Sequence, residues 1–213
     1  MSIERFVTRL KRIDPPTNCI NPWRGRSAAA KLRQANLTDY LEQMALLRPT
    51  VILVGEAPGY RGCGLTGVPF TSERILVEGA AGLFGADSSF KIVGDYTKPL
   101  SEASATIVWE ILQNYPENLP LIWNACPFHP HKLGNERSNR APNQPELVIG
   151  IKILGNLLNL FPDIKTVVAV GNRADEIMSR HRITHLKIRH PSHGGKKEFQ
   201  AGVEQIFTDH LNL

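Results

Sequence analysis

Apolar and polar positions fall in blocks along this chain, and the block lengths predict its elements. Short apolar runs bounded by turn-forming residues read as buried strands: Val51 to Gly55, Leu121 to Ala125, Thr166 to Gly171 and His185 to Ile188. Longer stretches with helical spacing separate them. Ser27 to Leu47 places Leu32, Leu37, Tyr40, Leu41, Met44 and Leu47 mostly on one face, with Ser27 as the cap. Ser101 to Tyr115 has Ile107, Val108, Ile111 and Leu112 as its apolar face and Ser101 as its cap. Pro145 to Leu160 and Arg173 to Arg180 are helical, as is Gly195 to Leu211, with Phe199, Val203, Ile206, Phe207 and His210 near one face. Ser72 to Leu83 is a helix that Gly79 and Gly82 interrupt. Pro127 to Pro145 is polar and Pro-rich, too long for a casual connection in a compact domain.

Strands alternating with helices predict a parallel sheet covered on both faces, because right-handed crossovers put helices there. The expected fold is α/β: three α/β/α layers around a central four-stranded parallel sheet, in one domain spanning 1–213. The loops GEAPG, NACPFHPH, GNRAD and HPSHGG follow the four strands in turn. They share one edge of the sheet, so distant segments converge on one cleft.

Composition narrows the setting. The chain has 213 residues, 42% hydrophobic, enough for a sizeable core. A net charge of +5 suits a polyanionic partner such as nucleic acid, and suits an ordinary basic protein equally well. Cys19, Cys63 and Cys126 are scattered, which argues against a disulfide framework and fits a reducing cytoplasm. Three thiols cannot supply the four ligands of an iron–sulfur cluster. The segment MSIERFVTRLKR has no apolar core, so it is not a signal peptide. No apolar run approaches the ~18 residues of a membrane span.

The candidate chemistry sits in the strand-end loops. VILVGEAPGYRGCGLTGVPF, Val51 to Phe70, stops a strand at Gly55 and follows it with a Gly/Pro turn. It is neither a P-loop, since no Lys-Ser or Lys-Thr follows the glycines, nor a G-x-G-x-x-G helix start. Its glycines let backbone approach a flat or anionic ligand, or simply make a turn. Asn124 at a strand end offers donor and acceptor to a base, or caps a turn. His190, held extended by Pro191, can stabilise an anion or shuttle a proton, or be structural. Cys126, His129, His131, His190 and His193 match no standard zinc spacing, so no metal is expected. Ser192 lacks the G-x-S-x-G elbow of a hydrolase nucleophile.

Taken in order, GEAPG with downstream GVPF, a strand-end Asn124 and the HPS of His190 to Ser192 resemble the uracil-DNA glycosylase superfamily. NACPFHPHKLGNERSNRAPNQPEL, Asn124 to Leu147, is most similar to the iron–sulfur branch, in which an Asn is followed by an NR-x-P stretch. The resemblance implies that Phe70 stacks on an extruded base and Asn124 reads its Watson–Crick edge. It implies that His190 stabilises negative charge on the leaving base, at O2 for uracil. Glu56 and the Gly55–Gly59 backbone, Ala57 included, would shape the pocket and hold a water near the sugar. Ser192, with the amides of Gly194 and Gly195, would grip phosphate, with Lys196 and Lys197 adding charge.

The chain departs from that pattern in four ways. Ala57 stands where some branches carry an Asp or Asn that orients water. Gly59 stands where the family has a Tyr that blocks the thymine methyl, and Tyr60 comes one residue late. The cluster cysteines are absent. HGGKK after HPS lacks the bulky apolar wedge of some members, which suggests single-stranded or distorted substrate.

The expected activity is a monofunctional DNA glycosylase for uracil or a related deaminated base, without metal or organic cofactor. Its partner would be DNA, its product a free base, its state monomeric and its place cytoplasmic. Two alternatives stay open: a non-catalytic nucleic-acid-binding protein on the same fold, and an enzyme on a small nucleotide or nucleoside. Lys132, Arg137 and Arg140 in the polar insert favour a longer anionic chain over the small substrate.

Overall fold

The structure is a computed structural model that describes residues 1–211, with side chains through Asp209. The side chain of His210, expected on the face of the closing helix, lies outside that range.

The chain opens with α1 (Ile3–Leu10), whose first turn is capped by the Ser2 hydroxyl and which buries Phe6, Val7 and Leu10. A two-residue strand β1 (Cys19–Ile20) leads to α2 (Ala28–Leu47), capped by Ser27 as its sequence predicts. Then come β2 (Val51–Gly55), the one-turn helix α3 (Cys63–Thr66) and α4 (Glu73–Glu78). Next are α5 (Ala103–Leu112), β3 (Leu121–Asn124) and a second short strand, β4 (His129–Pro130). The chain continues through α6 (Gln144–Leu158), β5 (Thr166–Val170), α7 (Asn172–Arg180), β6 (Leu186–Ile188) and α8 (Lys196–Leu211).

The central sheet has four parallel strands in the order β3-β2-β5-β6, flanked by helices, as the block pattern predicts. Every residue of β2 is buried, the mark of a strand covered on both faces. Register pairs Gly55 with Asn124, so the two strands that carry the central loops end level. One continuous apolar core runs from Phe6 and Trp23 through Trp123 to Phe207.

The differences from the pattern have local causes. α5 takes its cap from Glu102, not Ser101: the Glu102 carboxylate accepts the N–H groups of Ser104 and Ala105 at 3.2 and 2.7 Å. α4 stops at Glu78 because Gly79, at φ +95°, turns the chain out of the helix. α1 was not anticipated, although Ile3, Phe6, Val7 and Leu10 recur at helical spacing. β1 and β4 pair antiparallel over two residues, below the length at which alternation is visible.

The polar insert before α6 is ordered by one buried ion pair. Glu146 is 0% exposed and holds Arg140 through both carboxylate oxygens, at 2.5 and 2.9 Å. The same carboxylate accepts the Asn143 N–H while the Asn143 side chain accepts the Glu146 N–H, a capping box at the start of α6.

Candidate active site

A cleft of about 400 Å³ opens where β2 and β3 end. Its walls are the turn from Glu56 to Gly59, the Gly62–Thr71 loop, the start of α5, Asn139 to Ala141 of the insert, and His190. The N–H groups of Ala125 and Cys126 donate to the Gly55 and Glu56 carbonyls at 2.8 and 2.9 Å. Pairing beyond the named strands thus holds both central loops side by side.

Phe70 is set against Gly55. A Cβ on Gly55 would lie 2.4 Å from a Phe70 ring carbon and 2.9 Å from Asn124 Oδ1, so only glycine admits both neighbours. Phe70 sits at φ +50°, a left-handed backbone that a bulky residue rarely adopts. Buried hydroxyls enforce that turn: Thr66 Oγ1 and Thr71 Oγ1 are 2.7 Å apart, and Thr71 donates to the Val68 carbonyl at 2.7 Å. Trp109 of α5 donates its Nε1–H to the Phe70 carbonyl at 2.8 Å. Strain held by such a scaffold is characteristic of functional loops.

Asn124 is 2% exposed and lines the cleft, yet its Nδ2 is buried with no hydrogen-bond partner. A buried amide donor left unpaired costs about 1–3 kcal/mol, and this one belongs to a residue of the cleft wall, where a ligand acceptor would relieve the cost.

His190 faces Phe70 with ring centroids 6.3 Å apart. The Ser192 backbone N–H donates to Nδ1 at 3.2 Å, and the Ser192 hydroxyl lies 2.7 Å from the same nitrogen. A nitrogen that accepts an N–H carries no proton, so the neutral ring holds its proton on Nε2. Burial, then Arg189 and His193, push its pKa below the ordinary histidine value, which keeps the ring neutral near pH 7. Gly171, at φ +88°, makes room for the ring: a Cβ there would lie 2.8 Å from His190 Cβ.

Glu56 and Ala57 both line the cleft, half-buried. Burial raises the Glu56 pKa above the usual carboxylate value, Arg173 opposes the shift, and Glu176 adds to it. Among the polar groups of the wall that were not singled out in the sequence are Glu102 and Asn139. Glu102 is masked by the neighbouring Ser101, although it stands directly before α5 and caps that helix. Asn139 lies inside the NR-x-P stretch; its Oδ1 accepts the Tyr60 N–H at 3.1 Å. Gly59 lines the cleft, whereas Tyr60 lies outside the lining and stacks under Arg61 at 5.4 Å.

Other expected groups are engaged within the chain. Arg140 is no free cation: besides Glu146 it donates to the carbonyls of Asn18, His131 and Ala141. The Gly195 N–H bonds the Ser192 carbonyl at 3.1 Å, so it is not free for phosphate. Lys196 Nζ pairs with Glu110 Oε1 of α5 at 2.5 Å. Gly194 sits at φ +78° just before α8, and Lys197 is exposed on its first turn. Lys132 and Arg137 are exposed on the insert, beside a turn whose tip, Leu133, is 84% exposed. His129 places Nδ1 2.8 Å from the Pro58 carbonyl and Nε2 3.0 Å from that of Glu136, strapping the insert to the cleft wall. Among the described residues, no three His, Cys, Asp or Glu side chains gather as metal ligands, and no helix is long and apolar enough to cross a membrane.

The crystal structure of wild-type Pedobacter heparinus SMUG2 is similar in fold, with a TM-score of 0.66, 14% identity and full coverage of both chains. No curated protein matches the chain. A model of the uracil DNA glycosylase superfamily matches residues 42–208, which takes in both central strands, the whole cleft and the His190 turn. The chain therefore belongs to the uracil DNA glycosylase superfamily.

Proposed function

We propose that this chain is a monofunctional DNA glycosylase that hydrolyses the N-glycosidic bond of uracil or a related deaminated base. The observation that carries the reading is the buried, unpaired Asn124 amide, facing a cleft that Phe70 and His190 also line.

The mechanism follows from those groups. A base must leave the stack before its bond is reachable. Phe70 offers the stacking face and Asn124 the donor and acceptor for the base edge, against the wall made by Gly55 and Ala57. Breaking the bond between C1′ and the base nitrogen leaves its electron pair on the base and a cationic sugar behind. His190 donates its Nε2–H toward the developing anion, at O2 for uracil; one such preorganised donor is worth about 3 kcal/mol. A water oxygen then bonds C1′ and passes its proton to Glu56, whose raised pKa makes it a stronger base than a solvated carboxylate. The reaction needs no metal or organic cofactor from the protein. Gly194, Lys197 and the surroundings of Ser192 remain the phosphate-facing surface beside the ring.

Base choice is broad on this reading, because Gly59 puts no side chain in the cleft wall and Tyr60 stands outside the lining. Single-stranded or distorted DNA is the preferred substrate, since HGGKK offers no apolar wedge beside the His190 turn. Residues 1–213 act as one domain, as a monomer, in the cytoplasm.

The test is incubation with oligonucleotides carrying uracil, hypoxanthine or xanthine, single- and double-stranded, followed by alkali to reveal abasic sites. Excision that is lost in His190→Ala while binding persists supports the reading. Equal turnover of a mononucleotide would favour a small-substrate enzyme instead. Ala57 supports one rival specifically, a non-catalytic DNA-binding protein: it puts a methyl where a water-orienting group is expected. Tight binding of every lesion without an abasic product would establish that rival.

A further inference from the structure

The net positive charge of this chain arises at one end. Residues 1–33 hold eight Lys and Arg against Glu4 and Asp14, whereas the remaining 180 residues hold 17 against 18. The whole net charge of +5 therefore comes from the N-terminal segment. That segment precedes the family match, which begins at residue 42.

The fold gathers part of this charge into one feature. Lys11, Arg12, Arg24 and Arg26 line an open surface groove of about 490 Å³ between the end of α1 and the loop before α2. Its acid, Asp14, is already paired with Arg24. Arg5 and Arg9 are exposed on α1, and helical spacing continues their row to Arg12. The groove is braced to the catalytic edge of the sheet. Asn21 donates to the Leu10 and Ile13 carbonyls at 2.8 and 3.0 Å. β1, which ends one residue before Asn21, pairs with β4 just beyond β3, and the Asn18 carbonyl accepts from Arg140 of the cleft wall.

We propose that this groove binds the phosphate backbone of DNA outside the base pocket. The proposal rests on the function argued above for the choice of DNA as polymer, not for the existence of the site. Guanidinium forks match phosphate oxygens two at a time, and arginine outnumbers lysine here. A membrane surface fits less well, because the apolar face of α1, Phe6, Val7 and Leu10, is buried in the core and has nothing to insert. The surface ion pair Arg24–Asp14 is worth little in water and yields readily to a phosphate.

The test uses the full chain and an unmodified single-stranded oligonucleotide of about 20 nucleotides, long enough to run past one binding module. Affinity is measured across a salt series for the wild type and for Arg12→Gln/Arg24→Gln/Arg26→Gln. Three lost phosphate contacts should flatten the slope of log K against log salt by about 2, at about 0.7 per contact. Affinity at low salt should fall at least ~10-fold, while single-turnover excision at saturating protein is unchanged. A control, Lys98→Gln/Lys152→Gln/Lys165→Gln, removes equal charge elsewhere and should leave most of the slope. An unchanged slope in the arginine variant, or an equal loss in the control, overturns the proposal. So does tighter binding to phosphatidylserine vesicles than to DNA. Because the oligonucleotide carries no lesion, the readout stands even where no excision is found.

Discussion

Ser192 holds His190 from behind: its backbone N–H reaches Nδ1 at 3.2 Å, and its hydroxyl lies 2.7 Å from the same atom. The ring is thereby fixed as the Nε2–H tautomer and offers that donor to the cleft. His190→Ala should slow single-turnover excision about 100-fold, the worth of one preorganised donor. Ser192→Ala keeps the backbone N–H and should cost only about 2- to 10-fold, the range of one ordinary hydrogen bond. If Ser192 instead gripped phosphate, its loss would appear in affinity and its salt slope rather than in rate.

Asn124 carries a stability cost that substrate would relieve under the proposed function. Asn124→Leu removes the buried, unpaired Nδ2 and should hold or raise Tm. The same change should abolish excision, because the base loses its donor and acceptor together. Calorimetry beside an excision assay checks this; a large fall in Tm would mean that the amide is structural.

Glu56 should set an acid limb in the pH–rate profile. Its pKa is raised by burial, so the rate should fall with decreasing pH at values above the ordinary carboxylate range. Glu56→Gln should be slow and lack that limb. The stability sign is opposite to that of a salt-bridged acid. The folded chain holds the Glu56 proton to higher pH than the unfolded chain, so stability is lost as pH rises through the folded pKa. Glu56→Gln should therefore unfold at higher denaturant than wild type at neutral pH, with no difference in acid below the ordinary carboxylate pKa.

Arg140 should behave as a structural cation. Arg140→Ala strands the buried Glu146 carboxylate and should cost about 3–5 kcal/mol, as other broken buried pairs do. Its salt slope for DNA should stay at the wild-type value. Urea unfolding and the salt series read the two effects separately.

Gly55→Ala should be worse than its size suggests. The added methyl would meet the Phe70 ring at 2.4 Å, and overpacking of this kind costs about 1–3 kcal/mol. Phe70 must move, so base excision should fall more than DNA binding. A crystal structure of the variant would show the ring displaced; an unmoved ring would disprove the coupling.

Much of the frame is readable in linear order. The runs VILVG, LIWN and TVVAV are apolar enough to announce buried strands, and Ser27 announces its helix. The strand-end rule then places Glu56, Asn124 and His190 at one edge before any coordinates are known. Glu102 escaped because a neighbouring Ser competes for the same cap. Arg140 was misread because an arginine in a polar loop looks solvated until its partner, six residues on, is seen to be buried. Gly195 looked available because the hydrogen bond from its N–H to the Ser192 carbonyl leaves no sequence signature.

Sequence by itself determined the alternation of strands and helices, the order of the site loops and the excess of arginine in the first 33 residues. Those follow from residue type and spacing, which are local. Only the tertiary structure decided which polar groups are free. It left Asn124 Nδ2 without a partner, fixed the His190 proton on Nε2, bound Arg140 to Glu146 and gathered four cations into one groove. The reason is that hydrogen-bond satisfaction and burial depend on which distant segments meet, and no local pattern encodes that.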